Sequence, residues 1–121
     1  MNINSALLAK RGEIWEIDLN PTVGAEIQKV RPCLVVSSDA VGNLPIKLIG
    51  PITEWKDKYK ACLWHVQIEP DAKNGLTKKS SFDALQLRGV DLARFKKVRG
   101  IVSAEVMEEV AAAIAAVVEY Q

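Results

Sequence analysis

The side chains able to do chemistry in this 121-residue chain gather at a few points. Asp18-Leu19-Asn20-Pro21-Thr22 ends one strand-like run and Gly24-Ala25-Glu26 follows it. Arg31-Pro32 opens the next run, and Pro51-Ile52-Thr53 closes a third. Strand ends and their loops are where β domains place function, and a guanidinium there can bind two oxygens of an anion at once. The familiar catalytic motifs are missing: there is no Gly-rich phosphate loop, no HExxH and no GxSxG. A Ser-His-Asp triad would have to use His65, the only histidine. A lone histidine on a mid-chain strand is read as structural. Cys33 and Cys62 stand in apolar runs and form no CxxC pair, so a zinc site would lack ligands. They are read as buried free thiols in a reducing cytosol. No metal and no cofactor is expected.

The elements that must position these groups follow from hydrophobic period and turn residues. Strands are expected over 12–19, 32–37, 46–52, 61–68 and 81–87, with Pro32 at a first strand position. In the fourth, Cys62, Trp64, Val66 and Ile68 fall on one side and Leu63, His65 and Gln67 on the other. Residues 90–95 read as a helical turn, followed by a short basic segment, 96–99. Ser103 is a plausible N-cap for a terminal helix over 103–120, whose apolar stripe of Val106, Val110, Ala113, Ile114, Val117 and Val118 is read as core. Five or six short strands and one helix, without βαβ alternation, predict a single mainly β domain over 1–121. Its form is a compact antiparallel barrel or half-barrel with a C-terminal α-helix. Residues 1–10 are a lead-in, read as a short helical turn.

Hydrophobic residues make up 49% and charged residues 26% of the chain, which permits a core and argues against disorder. The net charge of +1 does not announce a polyanion partner. The segment 103–121 holds Glu105, Glu108, Glu109 and Glu119 and no Lys or Arg, so the preceding residues carry +5. That suits a polyanion, and an ordinary solvated surface equally well. The apolar runs at 6–9 and 110–118 are too short for a signal peptide or a membrane span, so a cytoplasmic protein with no membrane partner is expected.

The ordered set Arg11-Gly12-Glu13-Ile14-Trp15, Asp18-Leu19-Asn20-Pro21, Gly24-x-Glu26, Arg31-Pro32-x-Leu34-Val35-Val36-Ser37 and Pro51-Ile52-Thr53 resembles the MazF/PemK ribonuclease toxins. Ser80, Gln86-x-Arg88 and Asp91-x-x-Arg94-Phe95 resemble the second half of that family. Many members carry Gln directly after the Glu and Gly two residues before the Arg, where this chain has Ile27 and Lys29. The resemblance implies an SH3-like barrel of the MazF/CcdB type that works as a homodimer. It implies sequence-selective, metal-independent cleavage of single-stranded RNA, commonly mRNA, by 2′-hydroxyl attack, leaving a 2′,3′-cyclic phosphate and a 5′-hydroxyl. A cognate acidic antitoxin of the MazE/PemI kind would neutralise it.

The resemblance also puts Arg31 and Thr53 at the catalytic positions, with Glu26 assisting. Arg31 would hold phosphate oxygens and Thr53 would add a hydroxyl hydrogen bond. Glu26, the only carboxylate between Gly24 and Arg31, is the natural candidate base. Arginine stays protonated and is a poor proton shuttle, so the general acid is left open. Asn20, Thr22, Lys29, Trp55, Lys56, Lys58 and Tyr59 are the candidate RNA-binding residues. The aromatics would stack on bases while the lysines meet phosphates. Plainer readings stand beside these: a surface cation at Arg31, a strand end at Thr53, a loop solubiliser at Glu26, and an ordinary loop over 54–60. Ser80 is read as opening a strand, and Gln86 as fixing backbone hydrogen bonds. A non-enzymatic CcdB-like gyrase poison and an SH3-like binding module are the rival functions.

Overall fold

The computed structural model describes residues 8–121, so most of the lead-in expected over 1–10 lies outside the described residues. The chain forms β1 (Glu13–Asp18), β2 (Val30–Val35), β3 (Ile46–Glu54), β4 (His65–Ile68), β5 (Ser80–Asp83), β6 (Arg88–Asp91), β7 (Phe95–Ile101) and α1 (Ala104–Val117). All the strand pairs are antiparallel. The hydrogen-bonded order is β4-β5-β3-β2-β1-β7, with β6 also paired to β3. This is the mainly β fold with a terminal helix that the sequence predicts. The sheet wraps the core without closing, since β4 and β7 end the path unpaired to each other.

Each face of the sheet buries its own cluster, which is why β2 reads as an unbroken apolar run. Leu34 of β2 packs with Ile14, Ile52, Phe82 and the helix residues Met107, Val110 and Ala113. Cys33 and Val35 turn the other way, to Trp15, Ile17, Leu19, Val90, Leu92 and Phe95. Burial pushes the Cys33 thiol up to about 12, against the opposing pull of Arg88, so it is an inert core group. The helix starts as expected, the Ser103 hydroxyl accepting from the Val106 N–H at 3.2 Å. Val118, expected in its core stripe, follows its end as the C-cap and is exposed. No helix among the described residues is long and apolar enough to cross a membrane.

Several boundaries differ from the sequence reading. β2 begins at Val30, so Pro32 is its third residue, opposite Glu16; Val30 and Arg31 are exposed, and the charged Arg31 separates Val30 from the apolar run that starts at Pro32. The strand expected over 61–68 keeps only its second half, because residues Asp57–Ala61 form a 3-10 turn. Cys62 follows that turn and is half-exposed rather than buried. The run expected over 81–87 stops at Asp83, whose carboxylate accepts from the Leu85 N–H at 2.9 Å and caps a 3-10 turn, Ala84–Gln86. The helical turn expected over 90–95 is only Leu92–Arg94, with β6 before it and β7 after it.

β5 and β6 follow the same strand, β3, and the turn between them inserts three residues: Ile52 faces Phe82, while Ile49 faces Arg88. At this bend a β-carbon on Gly50 would lie 2.3 Å from the Phe82 ring. Gly50→Ala should therefore overpack a fully buried contact and destabilise the fold by about 1–3 kcal/mol. Urea unfolding monitored by tryptophan fluorescence checks this; an unchanged midpoint would show that the ring has room to move.

Candidate active site

Sheet register brings the distant residues together. Ile17 pairs with Arg31, and Cys33 pairs with Pro51 two residues on. That register, continued two residues, sets Arg31 beside Thr53. Thr53 itself pairs with Ser81, and Ser81 with Gln67. Directly opposed residues share a face, as do residues two apart on one strand. Arg31, Thr53, Ser81, Asp83 and His65 thus share the sheet face opposite the helix, beyond the end of its apolar cluster. Asp83 and His65 are themselves a direct pair.

A cleft of about 490 Å³ opens there, lined by Glu26, Arg31, Thr53, Lys56, Tyr59, His65 and Asp83, among others. The Arg31 Nε donates to the Gln28 carbonyl at 3.2 Å, which orients the guanidinium; neither Nη group has a partner among the described residues. No carboxylate lies within ion-pair distance of Arg31 or Lys56 among the described residues. The carboxylates around them are engaged elsewhere. Glu26 accepts from the Val23 N–H at 2.6 Å, Glu54 pairs with Lys78 at 3.4 Å, and Asp83 caps the 3-10 turn. An anion entering the cleft would meet two cations that have no ion-pair partner among the described residues.

His65 is fixed on three sides. Its Nδ1 lies 2.7 Å from the Ser81 Oγ, the Tyr59 ring stacks on it at 3.7 Å between centroids, and Asp83 stands opposite in the sheet. Its pKa is lowered, first by burial; Asp83 opposes that shift and Lys58 reinforces it. A neutral imidazole is the form held at neutral pH.

Of the sequence candidates, Glu26, Arg31, Thr53, Lys56 and Tyr59 line the cleft. The others lie outside it. Asn20 closes the base of the 20–29 loop, its Oδ1 accepting from the Lys29 N–H at 3.2 Å. Thr22 is half-buried and Lys29 exposed in the same loop. Trp55 stands edge-on to Tyr59 in an adjoining groove against α1 that Tyr59 and His65 also line, and Lys58 is exposed with its Nζ 6.0 Å from the Tyr59 ring centre. Gln86 fixes backbone as expected, its Oε1 accepting from the Ile27 N–H at 2.7 Å and its Nε2 donating to Asp83 at 3.3 Å. Ser80 opens β5, donating to the Lys78 carbonyl at 2.8 Å. Sequence reasoning missed His65 and Asp83 as cleft residues and Ser81 as the buried partner of His65. The available signal was alternation, since His65 and Gln67 interleave with buried Val66 and Ile68.

Residues 10–118 match the family described as PemK-like, MazF-like toxin of type II toxin-antitoxin system. Endoribonuclease EndoA of Bacillus subtilis is 35% identical over 107 residues, which cover 86% of this chain and 89% of that protein. Endoribonuclease MazF of Staphylococcus epidermidis is 33% identical, covering 85% of each. The fold matches a crystal structure of MazF from Deinococcus radiodurans with a TM-score of 0.74 at 20% identity, over 92% of this chain and 96% of that one. It also matches an endoribonuclease in complex with its cognate antitoxin from a mycobacterial species, with a TM-score of 0.74 at 18% identity, over 93% and 97%.

Proposed function

The chain belongs to the PemK-like, MazF-like family of type II toxins, and we propose that it is an endoribonuclease that cuts single-stranded RNA in the Arg31–Thr53 cleft. The observation that carries the site is one cleft holding Thr53 and Arg31, whose Nη groups have no partner among the described residues. The likeness to named endoribonucleases supports the reaction. Attack of a ribose 2′-hydroxyl on the adjacent phosphorus builds negative charge on the non-bridging oxygens. Arg31 binds those oxygens, and its planar guanidinium can reach two at once. Thr53 donates a hydroxyl hydrogen bond to the same phosphate. Glu26, held by Val23, assists at the rim. Lys56 holds a flanking phosphate, and Tyr59, half-exposed in the cleft lining, offers an aromatic contact for a base.

The protein acts in the cytoplasm as a homodimer that gives a long RNA strand a continuous surface. Exposed Ile46 and Leu48 on β3 offer apolar area for such contact. A cognate acidic antitoxin blocks it, as the solved complexes of MazE with MazF and of a mycobacterial endoribonuclease with its antitoxin suggest. The family match does not favour a gyrase poison or a plain binding module.

The charge-stabilising work falls to Arg31, and the described residues contain no group of three His, Cys, Asp or Glu able to hold a metal. Purified protein should therefore cut a long single-stranded RNA in EDTA, leaving 2′,3′-cyclic phosphate and 5′-hydroxyl ends. End mapping by kinase and phosphatase treatment reads this directly. Cleavage that needs added divalent metal, or leaves 3′-hydroxyl ends, would overturn the reading.

A further inference from the structure

The reaction needs a group to take the 2′-hydroxyl proton, and none of the residues placed by resemblance does this well. Arg31 remains protonated. Glu26 is exposed and already accepts a 2.6 Å hydrogen bond from the Val23 N–H. Of the other bases lining the cleft, Asp83 accepts at both oxygens, from the Leu85 N–H and the Gln86 Nε2, and Glu54 is paired with Lys78, which leaves His65. We propose that His65 is the general base of this site, held by Ser81 in the tautomer that presents a bare Nε2 to the 2′-hydroxyl. The inference rests on the endoribonuclease reading and adds a catalytic residue to it.

The partners allow this tautomer. Among the described residues the Ser81 hydroxyl also meets the Phe82 carbonyl, at a long 3.5 Å, and that oxygen can only accept. In the proposed arrangement the hydroxyl hydrogen turns to that carbonyl, and the Ser81 oxygen accepts from Nδ1–H across 2.7 Å. The proton is thereby kept on Nδ1, and Nε2 keeps its lone pair. Tyr59 stacks at an interplanar angle of 8° and fixes the plane of the ring. Ser81 is also the direct sheet partner of Thr53, so the imidazole sits one residue from the proposed phosphate-binding hydroxyl. Burial keeps the ring neutral near pH 7, where a base must be free to accept.

The step balances within the cleft and its solvent. Nε2 takes the 2′-hydroxyl proton as the bond from O2′ to phosphorus forms. The bond from phosphorus to O5′ breaks, and O5′ takes a proton from water in the open cleft. The imidazolium then returns its proton to solvent. Ser81 touches no reacting atom and is a positioning residue.

The test uses His65→Asn, whose amide can keep the bond to Ser81 but has no base at the Nε2 position. Cleavage of single-stranded RNA should fall about 100-fold, while binding of an RNA with a 2′-deoxy nucleotide at the cut site stays within about twofold of wild type. The same loss should persist on a substrate with sulfur replacing O5′, because sulfur leaves without needing a proton. Added imidazole should restore cleavage to His65→Gly, and Ser81→Ala should show an intermediate loss. Wild-type rates in His65→Asn would overturn the proposal. So would full recovery on the sulfur substrate, which would make His65 the general acid, or no imidazole rescue in a folded His65→Gly protein. Absence of cleavage by the wild-type protein would instead overturn the endoribonuclease reading itself.

Discussion

Arg31→Ala should slow RNA cleavage by about 10²–10³-fold, the usual cost of removing one donor that stabilises charge in a transition state, and leave thermal stability nearly unchanged. The two halves come from the same geometry. Arg31 is exposed, makes no ion pair among the described residues and spends only its Nε on the protein, at the Gln28 carbonyl. Such a surface substitution shifts stability by no more than about 0.5 kcal/mol. The Nη groups serve only an incoming anion. Arg31→Lys should recover part of the rate, since an ammonium restores charge but not the two-point grip. Thr53→Ala should cost less, because one neutral hydrogen bond is worth about 1 kcal/mol. Initial rates on a fluorogenic RNA, with a melting curve for each variant, check the set. An Arg31→Ala protein that cuts at the wild-type rate would show that the reaction occurs elsewhere.

The parts of the molecule legible in the sequence are those whose side chains enter a core. β1 shows this by its spaced apolar residues, β2 and β3 by short apolar runs buried on both faces, and α1 by the Ser103 cap and its apolar stripe. β7 was illegible because only Phe95 of its seven residues is buried. Lys96 and Lys97 face solvent, Arg99 turns to Glu16 and the Gly75 carbonyl, and the identity of β7 as a strand comes from hydrogen bonds to β1 that leave no mark on composition. The same limit hid His65. Its role depends on Ser81 and Asp83, sixteen and eighteen positions along the chain, and only strand pairing joins them. Resemblance supplied Arg31 and Thr53, while register explains why residues so far apart in sequence meet. Lys29 shows the reverse gain. It adopts φ 72°, a left-handed conformation that favours glycine, at the position where many relatives carry glycine. The loop shape survives without it, supported by the Asn20 side chain on the Lys29 N–H and the Lys29 carbonyl accepting from the Leu19 N–H.

An acidic antitoxin segment and RNA should exclude each other from this protein. A ribonuclease of this kind would damage its own host when free, so its blocking partner must cover the cleft or close it. Among the described residues no carboxylate is in ion-pair contact with Arg31 or Lys56; Glu26, Glu54 and Asp83 also line the cleft and keep their charge, but their oxygens are turned to the Val23 N–H, Lys78 and the Leu85 N–H. A flexible peptide with spaced Asp or Glu would therefore find the same cations that a phosphate backbone finds. Its large apolar residues have a neighbouring pocket of about 550 Å³, which shares Glu26, Ile27 and Gln86 with the cleft and adds Leu19, Pro51, Leu85 and Leu87. Such a segment would be disordered alone and order on binding. Its affinity should fall with salt, since exposed charges are screened over about 10 Å at 0.1 M. Arg31→Ala should weaken RNA and peptide together. Glu108→Lys, on the exposed face of α1, should change neither, because that helix covers the opposite face of the sheet. The measurement is a titration of the antitoxin's acidic peptide into a Thr53→Ala protein carrying labelled RNA whose 2′-hydroxyl at the cut site is removed. Full displacement of the label as the peptide saturates is the expected result. A ternary complex that keeps its RNA signal at saturation would place the antitoxin on another surface, and inhibition would then have to act through the shape of the 20–29 loop.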